Sequence, residues 1–361
     1  MTRSTTPKTS DVQTTDTLLV NAGLSRNLRG SSVGVARRVR LERAPENRLS
    51  EAELFRAAPM PVIACNGVHW LPIPAWRKIS WLWHGFSTRL GGVSHVFTAE
   101  DAPGELNLGF SVGDDREAVT QNRRLLAEAI SGDANAPLFT ARQIHSNVLI
   151  VASAGGAALE RPCSGDGLLT DQPGLLLGVM TADCIPILVA DRKRRAVAAF
   201  HAGWRGTAKR IVETGIGRMR LEFGSRPEDL IAAIGPGIGA CCYAIGEEVL
   251  SSFESQFAYA RDLIREVYDT DPVRTRYPML FLTQRAPGHS SIGPSLHLDL
   301  VEANRRQLFD AGLKTGAIHV VGGCTSCQPD LFFSHRASQG HTGRMLAVIG
   351  ICPASLKPRS A

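Results

Sequence analysis

The segment "TADCIPILVADRKRRAVAAFHAGWRGTA", Thr181 to Ala208, constrains the fold more than any other part of the chain. Two apolar runs, which read as buried strands, flank the charged knot Asp191-Arg192-Lys193-Arg194. A hairpin centred on Arg192 and Lys193 sets Cys184 directly opposite His201. Opposed Cα atoms of an antiparallel pair lie about 4.5–5.5 Å apart, with both side chains on one face. A slip of one residue would put them on opposite faces. Three readings of the pair are open: two ligands of one metal ion, a Cys-His nucleophile pair, or a core cysteine beside a strand-end histidine.

The surroundings favour a site. After His201 the stretch "AGWRGT" turns into a helix, whose free N–H groups and partial positive charge suit an anion, and Arg205 lies at that turn. Asp183 adds a carboxylate beside Cys184, and both are candidate catalytic residues. Adjacent strand residues face opposite sides, so Asp183 could instead orient backbone. "RQIHSNVLIV" sets His145 at the start of another apolar run, a candidate third ligand.

Composition bounds the class. With 361 residues, 43% hydrophobic and 20% charged, the chain can bury a sizeable core. No window approaches the roughly 18–20 uncharged apolar residues of a membrane span. The net charge of +6 does not point to nucleic acid. Residues 1–57 hold ten Lys or Arg against six Asp or Glu, which accounts for four of the six charges. The rest is nearly balanced, without a basic stripe interleaved with aromatics. Eight cysteines in a chain of this length are too few for a disulfide scaffold, and no secretory signal is seen, so a cytoplasmic protein with reduced thiols is expected. The single C-x-x-C, Cys324 to Cys327, lacks a second such pair and reads as two buried thiols near a turn.

Residues 1–57, rich in Ser, Thr and Arg without a sustained period, read as a disordered or loosely attached tail ahead of one domain over 58–355. "EAVTQNRRLLAEAI" predicts a helix with Asp114 and Glu117 as a capping box. "GTAKRIVETGIGRMRLEFG" predicts one helix with Val212, Ile216, Met219 and Phe223 on one face, stopped at Gly224 and Pro227. "DLIAAIGPGIG" and "RMLAVIGI" read as strands and "LDLVEANRRQLFDAG" as a helix. Residues 252–295 are rich in turn formers and predict irregular excursions. Strands broken by single helices suggest an α+β fold with mixed sheets.

The motifs "HGFSTRLGGVS", "LNLGFSVGDD", "QIH", "DGLLTDQPG", "TADCIPILVAD", "HAGWRGT", "IGPGIGACCY", "HLDL", "CTSC" and "FFSHR" follow in order. Over roughly His84 to Ile351 the chain resembles the family once called multicopper polyphenol oxidases or laccase-domain proteins. That family is now associated with purine nucleoside phosphorylase and adenosine deaminase activity. The resemblance implies a single α+β domain of mixed sheets flanked by helices, similar to cysteine-hydrolase-like toxins. It implies a metal, zinc or copper in its place, on His145, Cys184 and His201. It implies substrate or phosphate contacts from Arg89, Asn107, Gln143 and Arg205, with purine nucleosides and phosphate as partners. The chain departs from the family pattern at Glu105, where a serine usually precedes "LNLG", at His335 in "SHR", in the long segment "SHVFTAEDAPGE" and in the tail.

A His-His-Cys zinc site leaves a fourth position for water and lowers its pKa from about 15.7 toward 7. Attack at C6 of adenine then gives deamination, as in other zinc deaminases. Phosphorolysis needs an anion pocket near the ribose, for which Arg89, Arg205 and the helix start are the candidates. Three other readings stay open. A copper-loaded polyphenol oxidase fits poorly, because a multicopper cluster needs many imidazoles and the chain has no His-x-His. A Cys-His amide hydrolase could edit cytoplasmic cell-wall precursors. A zinc-stabilised binding protein would need a closed four-ligand site.

Overall fold

A computed structural model describes residues 59–98, 101–110, 113–152, 163–268, 276 and 294–355. The tail read over 1–57 lies outside the described residues. The strands are β1 (Val62–Ile63), β2 (His69–Leu71), β3 (Leu82–Ser87), β4 (Leu90–Ser94), β5 (Leu138–Phe139), β6 (Leu149–Val151), β7 (Gly167–Thr170) and β8 (Leu176–Thr181). They continue as β9 (Ile185–Asp191), β10 (Val197–Ala202), β11 (Leu230–Ile234), β12 (Ala244–Ile245), β13 (Ile264–Val267), β14 (Ser295–Leu298), β15 (Ile318–Val320) and β16 (Met345–Ile351). The α-helices are α1 (Arg116–Ser131), α2 (Trp204–Ala208), α3 (Ile211–Phe223), α4 (Glu247–Glu254) and α5 (Leu300–Asp310).

Every residue of β9 and β10 is buried, so neither strand has a wet face and each needs a layer on both sides. Alternate residues of β9 supply the two layers. Ile185, Ile187 and Val189 pack with Val212, Ile216 and Met219 of α3 and with Leu300 and Leu308 of α5. Leu188 and Ala190 point the other way, into a core shared with Leu177 and Val179 of β8 and Ala347 and Ile349 of β16. On the far face of that second sheet, Trp83, Leu176, Leu346 and Val348 meet Leu126 and Ala127 of α1. Four layers result: α1, one sheet, the other sheet, and α3 with α5.

The outer sheet runs β1-β2-β3-β16-β8-β5 and the inner one β15-β11-β9-β10-β7-β6; a small third sheet runs β12-β14-β13. The pairs β5–β8, β6–β7 and β11–β15 are parallel within otherwise antiparallel sheets. This is the α+β arrangement with mixed sheets that the patterning predicts, flanked by helices as the resemblance implies.

Local expectations are corrected in three places. The cap of α1 is Asp115, which accepts from the Glu117 N–H; Asp114 instead accepts from Asn107. The single helix expected after Gly206 is two, α2 and α3, broken at Arg210 in the left-handed region (φ 58°). Gly224 (φ 67°) closes α3 as predicted. Within 252–295, Ile264–Val267 is a strand of the third sheet rather than an irregular excursion, while 269–275 and 277–293 lie outside the described residues.

Candidate metal centre

The β9–β10 hairpin carries two of the expected ligands, in a register that differs from the simplest one. His201 pairs with Pro186, and Val197 with Ala190. The turn is longer than two residues because the Asp191 carboxylate accepts from the N–H groups of Lys193 and Arg194, and Arg195 turns left-handed. Cys184 therefore does not stand opposite His201. It lies just before β9, diagonal to His201 in the extended register. A displacement of two residues keeps both side chains on one face, and diagonal neighbours remain within reach.

The residue opposite Cys184 in that register is Gly203, which explains how the sulfur is accommodated. A Cβ on Gly203 would lie 2.8 Å from Cys184 Sγ and 3.2 Å from His145 Cδ2. His145 reaches the same spot from the loop before β6, with its backbone left-handed (φ 55°). One donor atom from each of His145, Cys184 and His201 falls within 4.8 Å of the others. The two imidazoles stand nearly edge to face, with centroids 5.0 Å apart.

Asp166 holds this arrangement. Its buried carboxylate accepts from His201 Nδ1 (2.8 Å), Ser146 Oγ (2.7 Å) and the N–H groups of Ile144, His145 and Ser146. One side chain thus fixes the loop that presents His145 and the ring of His201. With Nδ1 committed to Asp166, His201 presents Nε2 to the centre, the usual carboxylate–histidine support of a metal ligand. Sequence reasoning missed Asp166, although it opens the quoted motif "DGLLTDQPG". An acidic residue at a strand start carries no spacing signal.

The charges reinforce one another. Burial alone would raise the carboxyl of Asp166, but hydrogen bonds from His201 and Ser146 hold it well below the usual carboxylate range. Burial opposes ionisation of Cys184 as well. The charge of His201 and the hydrogen bond from His145 outweigh it and lower the thiol to about 6. Burial would lower His201, yet the Cys184 thiolate and Asp166 raise it to about 9. A thiolate and two imidazoles with a carboxylate behind one of them are the donor set of a borderline-soft divalent cation.

Asp183 stands beside Cys184 with its backbone left-handed (φ 94°). Both its carboxylate oxygens are engaged, one by Thr325 Oγ1 (2.6 Å) and one by the Arg336 N–H (2.7 Å). Its carbonyl accepts from the Ile238 N–H. Asp183 therefore pins the turn that delivers Cys184.

The centre opens into a cavity of about 1110 Å³, lined among others by Phe139, Gln143, Tyr243, Arg123, Arg336 and Arg344. Of the four expected substrate contacts, only Gln143 lines it, and both ends of its amide are bonded to the Met180 backbone. The other three stand outside this lining. Arg89 is held by Glu105 (2.5 Å) and lies over Phe333. Asn107 is fully buried, bonded to Asp114 and accepting from the Arg344 N–H. Arg205 turns outward onto Trp204 and toward Glu248. Arg123, Arg336 and Arg344, which do line the cavity, have no carboxylate partner among the described residues. They went unassigned because their positions depend on how distant strands meet.

Residues 83–352 match the family model described as multi-copper polyphenol oxidoreductase laccase. The chain belongs to this family. It is 36% identical over 272 residues to the protein named purine nucleoside phosphorylase YlmD of Geobacillus stearothermophilus, covering 74% of this chain and 89% of that one. It is 32% identical over 265 residues to the protein named adenosine deaminase RL5 from an unknown prokaryotic organism, covering 72% and 90%. The crystal structure of YlmD from Geobacillus stearothermophilus superposes with a TM-score of 0.63 at 33% identity, over 82% of this chain and all of that one. These likenesses support a purine nucleoside enzyme, and the Cys/His group supports a bound metal. Among the described residues no helix is long and apolar enough to cross a membrane.

Proposed function

We propose that this laccase-family member is a zinc enzyme acting on purine nucleosides in the cytoplasm. It would cleave the glycosidic bond of adenosine, inosine or methylthioadenosine with phosphate and deaminate adenosine to inosine. The observation that carries the reading is the convergence of His145, Cys184 and His201, backed by Asp166, at the wall of a cavity large enough for a nucleoside. Three protein donors leave room for a further ligand, the pattern of catalytic rather than structural zinc. When bound, the ion supplies a Lewis acid able to activate water or polarise a substrate atom.

The chain's own residues then divide the work. Asp166 orients His201 and the His145 loop, and Asp183 acts as a positioning residue for Cys184 rather than as a proton carrier. Arg123, Arg336 and Arg344 take over the phosphate role first assigned to Arg89 and Arg205, because their charges face the cavity without a carboxylate partner. Asn107 supports Arg344 through its backbone, and Gln143 shapes the wall. In phosphorolysis the C1′–N9 bond breaks, a C1′–O bond to phosphate forms and the base leaves. In deamination water enters at C6 and ammonia leaves. A likeness of the fold to cysteine-hydrolase-like toxins belongs to the same proposal.

The test is metal analysis of the purified protein followed by incubation with adenosine, with and without phosphate. Adenine and ribose 1-phosphate formed only with phosphate support phosphorolysis, and inosine supports deamination. Zinc that is lost in Cys184→Ala supports the metal assignment, and copper lost in its place overturns it. An unchanged nucleoside overturns the reading and moves weight to the Cys-His amide hydrolase.

A further inference from the structure

Two segments far apart in sequence bring four thiols together away from the His145 centre. Cys241 and Cys242 lie in the loop after β11, and Cys324 and Cys327 in the turn after β15. Their four sulfurs all lie within 4.8 Å of one another, with Cys327 Sγ at 3.5 Å from Cys241 Sγ and 3.3 Å from Cys242 Sγ. The single C-x-x-C lacks a second one in sequence, but the adjacent Cys241-Cys242 pair takes its place. A turn closed by the Cys242 and Tyr243 N–H groups on the Gly239 carbonyl directs both thiols to one side.

We propose that Cys241, Cys242, Cys324 and Cys327 form a second, closed zinc site with a structural role. In a tetrahedron with Zn–S of about 2.3 Å the sulfurs stand about 3.8 Å apart, so this cluster fits one ion. Four soft donors with no place left for water are the composition of a structural zinc site. The Gly239 N–H donates to Cys324 Sγ (3.3 Å), a bond that strengthens when that sulfur is a thiolate. The same two segments are joined by backbone, through the Thr325 N–H on the Gly237 carbonyl.

The position gives the ion its task. The first loop carries Ile238 and Tyr243 into the cavity wall, and the second carries Thr325, which holds Asp183. Arg336 adds a clasp, donating to the carbonyls of Cys242 and Ala244. An ion joining the loops therefore fixes the wall facing Cys184 without taking part in the chemistry there. The inference does not depend on the nucleoside reading.

Metal content of the full chain, purified with reductant and zinc and then dialysed against metal-free buffer, tests it. Wild type is expected to hold two zinc ions, and Cys327→Ser and Cys184→Ala one each. X-ray absorption on Cys184→Ala isolates the second site, even if the Cys327 variant folds poorly. An all-sulfur shell at about 2.3 Å is expected there. A Cys184→Ala protein without zinc, zinc with nitrogen ligands, iron in its place, or a disulfide among the four thiols would each overturn the proposal. One zinc in wild type that persists in Cys184→Ala would uphold this site while counting against the His145 centre.

Discussion

Cys184 is a strong test of the reading at the scale of single residues, because its charge depends on a neighbour. In chelated, metal-free protein its thiol is lowered to about 6 by His201 and His145, against 9.0 ordinarily. Alkylation of Cys184, followed by peptide mass spectrometry, is expected to be fast at neutral pH and to fall away as pH drops through about 6. In His201→Gln the imidazolium is gone, so the midpoint is expected to move up toward the ordinary thiol range. An unchanged midpoint would show that the pairing does not set the charge. Asp166→Asn keeps the shape but removes the negative charge behind His201. Loss of such a supporting carboxylate typically costs about 10–100-fold in metal affinity. Zinc titration against a competing chelator reads that loss, and wild-type affinity in the variant would remove Asp166 from the centre. The juxtaposition of Cys184 and His201 was legible from the hairpin pattern, and that of His145 with them from the family resemblance. Asp166 was not, since its role comes from five hydrogen bonds contributed by one loop and a strand.

Elements explain what the residues alone do not. The hairpin was visible as two apolar runs around a charged knot, but its register depended on Asp191 capping its own turn. That moved every partner by two residues along the ladder and put Gly203 opposite Cys184. Gly203→Ala is therefore expected to push a methyl group into Cys184 Sγ and the His145 ring. Zinc binding should fall while the circular dichroism spectrum stays that of the wild type. Gly217 gives the contrast. It sits inside α3, where an added Cβ meets nothing within 4 Å. Gly217→Ala should stabilise the fold by about 0.5–1 kcal/mol in urea denaturation, by helix propensity alone. A Gly203→Ala protein with full zinc affinity would show that the close approach is relieved by a small shift. The break at Arg210 was hidden for a related reason. Its left-handed backbone lies inside a run with helical periodicity and without a glycine or proline to mark it.

At the scale of the whole molecule, the class of fold was legible but the strand order was not. β16, at the end of the described chain, inserts between β3 and β8, and β7 lies beside β10 rather than β8. Such pairings are decided by which apolar faces fit, not by any local pattern. They also decide which cations reach the cavity. Arg344 arrives on the approach to β16 and Arg123 on α1, whereas Arg205, adjacent to the centre in sequence, points outward over Trp204. Arg344→Met keeps the aliphatic stem that packs on Gly109 and removes the charge. If Arg344 binds phosphate, one charge-assisted hydrogen bond worth about 1.5–3 kcal/mol is lost, roughly a 10–150-fold rise in the KM for phosphate. Deamination, which uses no phosphate, should change little. Arg205→Ala should leave both reactions within about twofold, since a half-exposed ion pair with Glu248 contributes little. Steady-state kinetics of both variants, with adenosine saturating and phosphate varied, separates the two arginines. A large phosphate effect from Arg205→Ala, with none from Arg344→Met, would return the anion site to the turn after His201 and contradict the cavity described above.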